Sequence, residues 1–475
     1  MALLYKATNE ELFQAKFVED SLDHQENIIT IESDDTFLMI GLPGHLNNII
    51  NMQNDVEDSI NQIAKFCLTQ DFLLGPQLFE PAFISSIIKL INTENSLAFS
   101  LIKLIRNIWK KTPENIEILF NDELISSFCK YLCIPNQIRD FVFEAFHFLL
   151  ENSPQSIHQK ILDILIEFHL FDSLDDFFQF ISNTDFSQFN SSQRPHEMIE
   201  RPINLIHSLA FNPLLNHDFY SNLMKYSFLV LLDFQNHKSV PYIVSTLNHI
   251  IKLGGGELLV SENKYIEILL GYHFFNDHQV FQDLYEIDAL LWKYKSFKNY
   301  FLNDNHFMFN IATLLINQKF KDHLKPIFLF LSNVMPDIWQ VLFSLYINSV
   351  SKRLIYIILD RLDDDYSLNN KVYFGLVISS FLLEANMKEK KEIAFDGAFK
   401  ALCLLISTAE DFVLKKMLKS ILMLLSLFQE LFKDITSIKE MMQILENMDE
   451  GYGDDEIFFM RTQIVQLVHS TLDNT

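Results

Sequence analysis

From Leu46 onward, apolar residues return at the i, i+3, i+4 and i+7 positions that turn one stripe of a helix toward a core. Phe83, Ile84, Ile87, Ile88, Leu90 and Ile91 form one such stripe, and Leu101, Ile102, Leu104, Ile105 and Ile108 form the next. No alternating apolar and polar segment of strand length stands out, so the pattern predicts an all-α chain. Residues 1–35 differ. They are polar and acidic, keep no sustained period, and close on Ile31-Glu32-Ser33-Asp34-Asp35, which reads as a loosely ordered acidic extension.

A longer period lies over the helical one. Thr112-Pro113-Glu114-Asn115-Ile116 returns as Ser153-Pro154-Gln155-Ser156-Ile157, an offset of 41 residues that also carries Asp122 to Asp163 and Leu124 to Leu165. Spacing near 40 is typical of stacked two- or three-helix repeats, none of which can bury its apolar face without neighbours. Pro113, Pro154 and Pro336 are expected at junctions between repeats, where the chain must break between helices. Ser182-Asn183-Thr184 through Arg194-Pro195 is polar and Ser/Asn-rich, and predicts an exposed insertion over 182–200.

The stretch Leu104-Ile105-Arg106-Asn107-Ile108, followed by Thr112-Pro113, resembles the end of the third helix of an armadillo repeat. Similar endings stand at Leu247-Asn248-His249-Ile250 and Leu331-Ser332-Asn333-Val334, where the two Asn are 85 residues apart, two repeats' worth. Further repeat ends are expected near Leu291, Leu382 and Leu424. The resemblance implies a right-handed α-α superhelix, an armadillo-type solenoid of about eight to ten divergent repeats over 36–445, with HEAT-type helix pairs as the alternative. An acidic loop at 446–456 and a capping helix at 457–475, packed through Met460, Ile464, Val465, Leu467 and Val468, complete the predicted organisation.

Within that superfamily the nearest resemblance is to import adaptors of the importin-alpha type. It implies that Asn107, Asn248 and Asn333 face an extended peptide, and that Lys103, Val244 and Leu329 occupy the positions where those adaptors carry a stacking Trp one turn earlier. These six are the candidate protein-binding residues.

Composition narrows the chemistry. Only 11 Gly and 12 Pro in 475 residues, against usual shares of roughly 7% and 5%, leave little material for hairpins or glycine-rich phosphate loops. Gly254-Gly255-Gly256 is followed by Glu257-Leu258, not by Lys and Ser/Thr, and reads as a helix C-terminal turn. His196-Glu197-Met198-Ile199-Glu200 has Glu where a zinc-protease helix needs its second His. Cys129 and Cys133 lack a second Cys or His pair at metal spacing, and with Cys67 and Cys403 they read as core residues. Acid runs such as Asp363-Asp364-Asp365 read as solvated turns. The expectation is a chain with no enzyme activity, no cofactor and no metal.

A formal charge of −25, from 37 Lys+Arg and 62 Asp+Glu, has the wrong sign for nucleic acid or anionic membrane. It favours a basic protein or peptide partner. No charge-free stretch qualifies as a membrane span: the longest, Thr36 to Asn54, is broken by Gly, Pro and Asn. The start carries no secretory leader pattern, so the expected location is the cytoplasm, or the nucleus for an import-type adaptor. The function predicted is a non-catalytic scaffold or adaptor. A transport receptor for basic peptides and a regulatory subunit of a phosphatase or kinase complex are the alternatives.

Overall fold

The computed structural model describes residues 41–472 apart from 54, 70–79, 94, 114–115, 133–136, 184–193, 234–237, 275–276, 304, 317–323, 363–366 and 449–453. The 1–35 extension, most of the polar insertion, Cys133 and the Asp363-Asp364-Asp365 run lie outside these residues. The described chain is all-α. Its only strands are the two-residue β1 (Tyr346–Ile347) and β2 (Lys352–Arg353), paired antiparallel with Tyr346 opposite Arg353. That ribbon is too short to leave a period in the sequence. The helices divide into two compact units, one ending at Ile250 and the other beginning at Ile251.

The first unit contains α1 (Leu42–Ile50), α2 (Val56–Thr69), α3 (Pro81–Thr93), α4 (Asn95–Lys111), α5 (Ile116–Leu119), α6 (Asp122–Cys129), α7 (Gln137–Asn152), α8 (Gln155–Glu167), α9 (Leu170–Asn183), α10 (Arg194–Ala210), α11 (Tyr220–Asp233) and α12 (Val240–Ile250). Helices α2, α4, α7, α10 and α12 form a front row in which each packs on the next. Behind them α1, α3, α6 and α8 form a second row, continued by α9 and α11.

The second unit contains α13 (Gly256–Val260), α14 (Asn263–Gly271), α15 (His278–Leu291), α16 (Lys295–Asn303), α17 (Asn305–Ile316), α18 (Leu324–Ser344), α19 (Leu354–Asp360), α20 (Leu368–Glu384), α21 (Met387–Ile393), α22 (Phe399–Leu405), α23 (Asp411–Leu427), α24 (Ile435–Asn447) and α25 (Asp455–Leu472). Its front row is α15, α18, α20, α23 and α25; α17 packs on α19, and α22 on α24, behind it.

The helices begin where the sequence offers caps. Asn121 accepts from the backbone N–H of Glu123 and Leu124 at the start of α6, and Asp277 does the same for Gln279 and Val280 at α15. Asn386 and Asp434 cap α21 and α24. The predicted apolar stripes become the core: Phe83, Ile87, Leu101, Leu104 and Ile108 are fully buried.

The near-40-residue period is written into the hydrogen bonds between repeats. Tyr131 donates to the Ile91 carbonyl across 40 positions, Ser173 to Leu132 across 41, and Ser420 to Ser379 across 41. Lys391 reaches Glu430 across 39 positions, as Arg353 reaches Glu392. Thr112-Pro113 and Ser153-Pro154 follow α4 and α7 directly, and Pro154 is the N-cap of α8 in extended geometry. Expected ends near Leu291, Leu382 and Leu424 fall at or within three residues of the ends of α15, α20 and α23.

Several expectations need correction. Arg194–Glu200 is the first part of α10, not loop, because Pro195 stands in the first turn, where its fixed φ favours a helix start and no N–H is needed. Glu446 and Asn447 end α24, and Asp455 and Glu456 open α25, so the acidic stretch is shorter than 446–456. In α25, Ile457, Met460, Ile464 and Val468 are buried, while Val465 and Leu467 are half-buried.

Pro336 is not at a junction; it lies inside α18, which runs on to Ser344. A proline there cannot donate to the carbonyl four residues back, that of Ser332. Lys416 on α23 supplies the missing donor: its Nζ reaches the Ser332 carbonyl at 3.4 Å, the Ser332 hydroxyl at 2.7 Å and the Ser380 hydroxyl on α20 at 3.3 Å. Burial holds this amine below the ordinary lysine range, with Glu384 opposing. Lys416→Met is expected to cost about 1–3 kcal/mol in urea unfolding. In a Pro336→Ala background, where Ala restores the N–H, the cost should fall by about 1 kcal/mol. Strict additivity would show that the lysine does not serve the proline break.

By length and composition α18 could cross a membrane, yet half of its most apolar stretch is buried within the unit, between α15 and α20. Its apolar character reflects packing on both sides. The glycine turn also takes its expected place, with Gly254 at φ 108° just beyond α12.

Candidate functional site

Each front-row helix buries one face and leaves part of the opposite face open. On α4, α7, α10 and α12 the open positions keep helical register: Lys103 and Lys110, then Glu144, His147 and Glu151, then Arg201, His207 and Phe211, then Tyr242 and His249. Glu144 is the centre of this face. Arg106 donates Nη1 to it at 2.7 Å, Lys110 Nζ approaches at 2.8 Å and Arg201 Nε at 3.2 Å, so three helices meet on one carboxylate. The Arg201 guanidinium also lies 4.0 Å from the centroid of the Phe141 ring.

The surroundings leave opposite marks on these groups. Burial would raise the Glu144 carboxyl, but Arg106, Lys110 and Arg201 together outweigh it and hold it below the ordinary range. Arg106 is lowered by burial and by repulsion from Arg201, partly offset by Glu144. One carboxylate therefore balances three cations, and the cluster is positive within a chain of charge −25.

Beside it stands a polar and aromatic ladder. The His147 ring meets the Ser208 hydroxyl at 2.7 Å, and His207 meets Thr246 at 3.0 Å. Phe211 stacks on His249 with centroids 4.1 Å apart, and Tyr242 meets His207 edge-on at 5.6 Å. Phe211 and Tyr242 remain 43% and 52% exposed, although both are large and apolar. Burial holds the His147 and His207 imidazoles below the ordinary histidine range.

The six residues proposed from sequence take different places. Lys103 and Leu329 are half-buried, and Asn333 is exposed in the middle of α18, where the sequence predicts a helix end. Asn248 is buried and Val244 is wholly inside the core. Asn107 is buried too. Its Oδ1 accepts from Arg106 Nε and Nη2, and its Nδ2 donates to the Ala64 carbonyl at 3.3 Å, which ties α4 to α2. Lys103, Asn107, Val244 and Asn248 belong to the first unit, Leu329 and Asn333 to the second.

Sequence reasoning overlooked Glu144, Arg201, Phe211 and Tyr242. Each is unremarkable alone, and Arg106 meets Glu144 only across 38 positions, which requires the register of adjacent repeats. Arg201 directly follows the predicted insertion over 182–200, which gives it no helical context in the sequence.

The buried polar clusters have structural partners. Ser332, Ser380 and Lys416 have the residue types of a nucleophile with its base, but the amine spans the proline break described above. The Cys403 thiol is buried, pushed upward by burial, and donates to the Met441 sulfur at 3.7 Å. No group of three or more His, Cys, Asp or Glu suited to a metal ion occurs among the described residues.

No family model matches the chain, and no curated protein matches it. Among solved structures, the chain is similar to the crystal structure of an engineered protein, with a TM-score of 0.61 and 11% identity over 90% of this chain and 99% of that one. It is also similar to the crystal structure of Uso1-2, with a TM-score of 0.57 and 10% identity over 94% of this chain and 87% of that one. At such identities the likeness is one of fold, and it places the chain among all-α, helical-repeat-like structures.

Proposed function

We propose that the chain is a non-catalytic scaffold that holds other proteins along the open faces of its front-row helices. The observation that carries this reading is the first unit's front row, where α4, α7, α10 and α12 present a continuous strip of charged, histidine and aromatic side chains. Large exposed aromatics rimmed by charge mark protein-binding surfaces more often than surfaces left to water. An armadillo-type repeat is supported by triplets in which a short helix and a second helix precede a longer third: α5, α6 and α7, or α21, α22 and α23. The import-adaptor version receives less support, because the Asn107 amide is engaged within the fold and Val244 is core. Basic partners remain suited to the acidic groups Glu446, Asp455 and Glu456 near the end of the chain.

The test is affinity purification of the full chain beside a Phe211→Ala/Tyr242→Ala variant. Both positions are exposed, so the variant should fold normally, with far-UV circular dichroism unchanged. Partners captured by the parent chain are expected to fall at least tenfold with the variant. An identical partner set in equal amounts would remove the front row of the first unit from the function.

A further inference from the structure

The front row of the first unit carries a local charge opposite to that of the chain. Arg106, Lys110 and Arg201 converge on Glu144 alone, Lys103 lies one turn from Arg106 on the same helix, and Glu151 is the next carboxylate along the face. Counting Lys103 and both acids, and taking the histidines as neutral, cations exceed carboxylates on this face. Arg106 and Arg201 repel each other there, so a further anion beside them would relieve repulsion already present. At physiological salt the Debye length is about 8 Å, and a ligand on the strip therefore responds to these groups more than to charges farther away.

The apolar half of the strip adjoins the charged half. Phe211, stacked on half-buried His249 at the end of α10, and Tyr242 on α12, edge-on to His207, form an exposed aromatic surface beside Arg201's helix. Packed helices stand about 8–10 Å apart, so a path from α4 across α7 and α10 to α12 spans about 27 Å, the length of roughly eight extended residues.

We propose that this strip binds an acidic linear segment of another protein, with its carboxylates beside Lys103, Lys110 and Arg201 and one aromatic or aliphatic side chain on Phe211 and Tyr242. The proposal rests on the scaffold reading and adds to it the chemistry of the partner. A polyanion such as RNA is disfavoured, because the strip offers few cations and the chain as a whole carries a charge of −25.

The probe is a fluorescein-labelled decapeptide rich in Asp and Glu with Phe near one end, titrated with the full chain by fluorescence anisotropy. A counterpart with Lys replacing every acid, and a single-stranded RNA decamer, are run alongside. The acidic peptide is expected to bind at least tenfold more tightly than either, and to weaken as salt rises. Lys103→Gln/Lys110→Gln leaves Arg106, Arg201 and Glu144 in contact and should weaken the peptide about tenfold. Phe211→Ala/Tyr242→Ala should weaken it severalfold with little change in salt dependence, which a purely electrostatic surface would not show.

Equal affinity for the acidic and basic peptides, tighter binding of RNA, or insensitivity to the lysine substitutions would overturn the proposal. If the peptide fails while partner capture still depends on Phe211 and Tyr242, the scaffold reading stands and the acidic partner is wrong. Failure of both removes both.

Discussion

Asp288→Ala is expected to destabilise the second unit by about 3–5 kcal/mol, the usual cost of removing one member of a buried ionisable pair. Asp288 on α15 is fully buried, and its Oδ2 lies 2.7 Å from Nε2 of His273, which is also fully buried. The other ring nitrogen, Nδ1, faces the carbonyls of Leu269 and Leu270 at 3.2 and 3.3 Å. A carbonyl can only accept, so Nδ1 is the donor on that side, and the Asp288 carboxyl is the partner of Nε2. Alanine deletes that partner and leaves a polar ring edge without it in a fully buried site, against Tyr285. The measurement is urea unfolding of the full chain with hydrogen exchange over 263–291; α14 and α15 should lose protection first. A loss below about 1 kcal/mol would show that the pair is not integral to the unit's stability.

The second large effect is expected at Glu144. Glu144→Ala leaves Arg106, which is 9% exposed in its side chain, and Arg201 facing each other without their shared carboxylate. The group is less deeply buried than Asp288, so a cost of about 3 kcal/mol, the lower end of the range for a broken buried pair, is expected. The pH dependence has a definite sign. Because the folded carboxyl lies below the ordinary glutamate range, its contribution is complete above the unfolded value and disappears as pH falls through the folded one. Acid unfolding of Glu144→Gln should lack this part of the loss, and above pH 6 its deficit relative to the parent should be constant. A deficit that stayed the same as pH fell through the acid range would mean that the cations do not hold the carboxylate.

These two sites differ in how much the sequence reveals. Arg106 and Lys110 share a helix face by spacing, and the 41-residue offset of Pro113 and Pro154 shows that another repeat must lie beside them. Neither fact selects Glu144, because the selection depends on how far one long helix slides against the next. His273 and Asp288 are 15 residues apart, across a turn between α14 and α15. No period relates them, and buried polar partners are chosen by packing geometry.

Pro336 teaches the same lesson from the other side. A proline in an apolar run predicts a break, and the sequence therefore suggests a repeat junction. The helix continues through Pro336, and Lys416, 84 positions from Ser332, offers a donor to the carbonyl that the proline leaves without one. Such a remote compensation has no local signature.

The sequence by itself determined the all-α character and the near-40-residue period. Helical spacing of apolar residues, scarce glycine and proline, capping residues and the near-40-residue offset are local or periodic properties, and each helix must bury its stripe whatever its neighbours are. Only the tertiary structure decided which groups of adjacent repeats meet. It drew Asn107 and Val244 inward, left Asn333, Phe211 and Tyr242 at the surface, and brought three cations to one carboxylate within an acidic chain. The physical reason is that the position of a side chain on its own helix follows from a fixed rotation per residue. Its position against the next helix follows from the fit of side chains across the row, to which distant parts of the sequence contribute together.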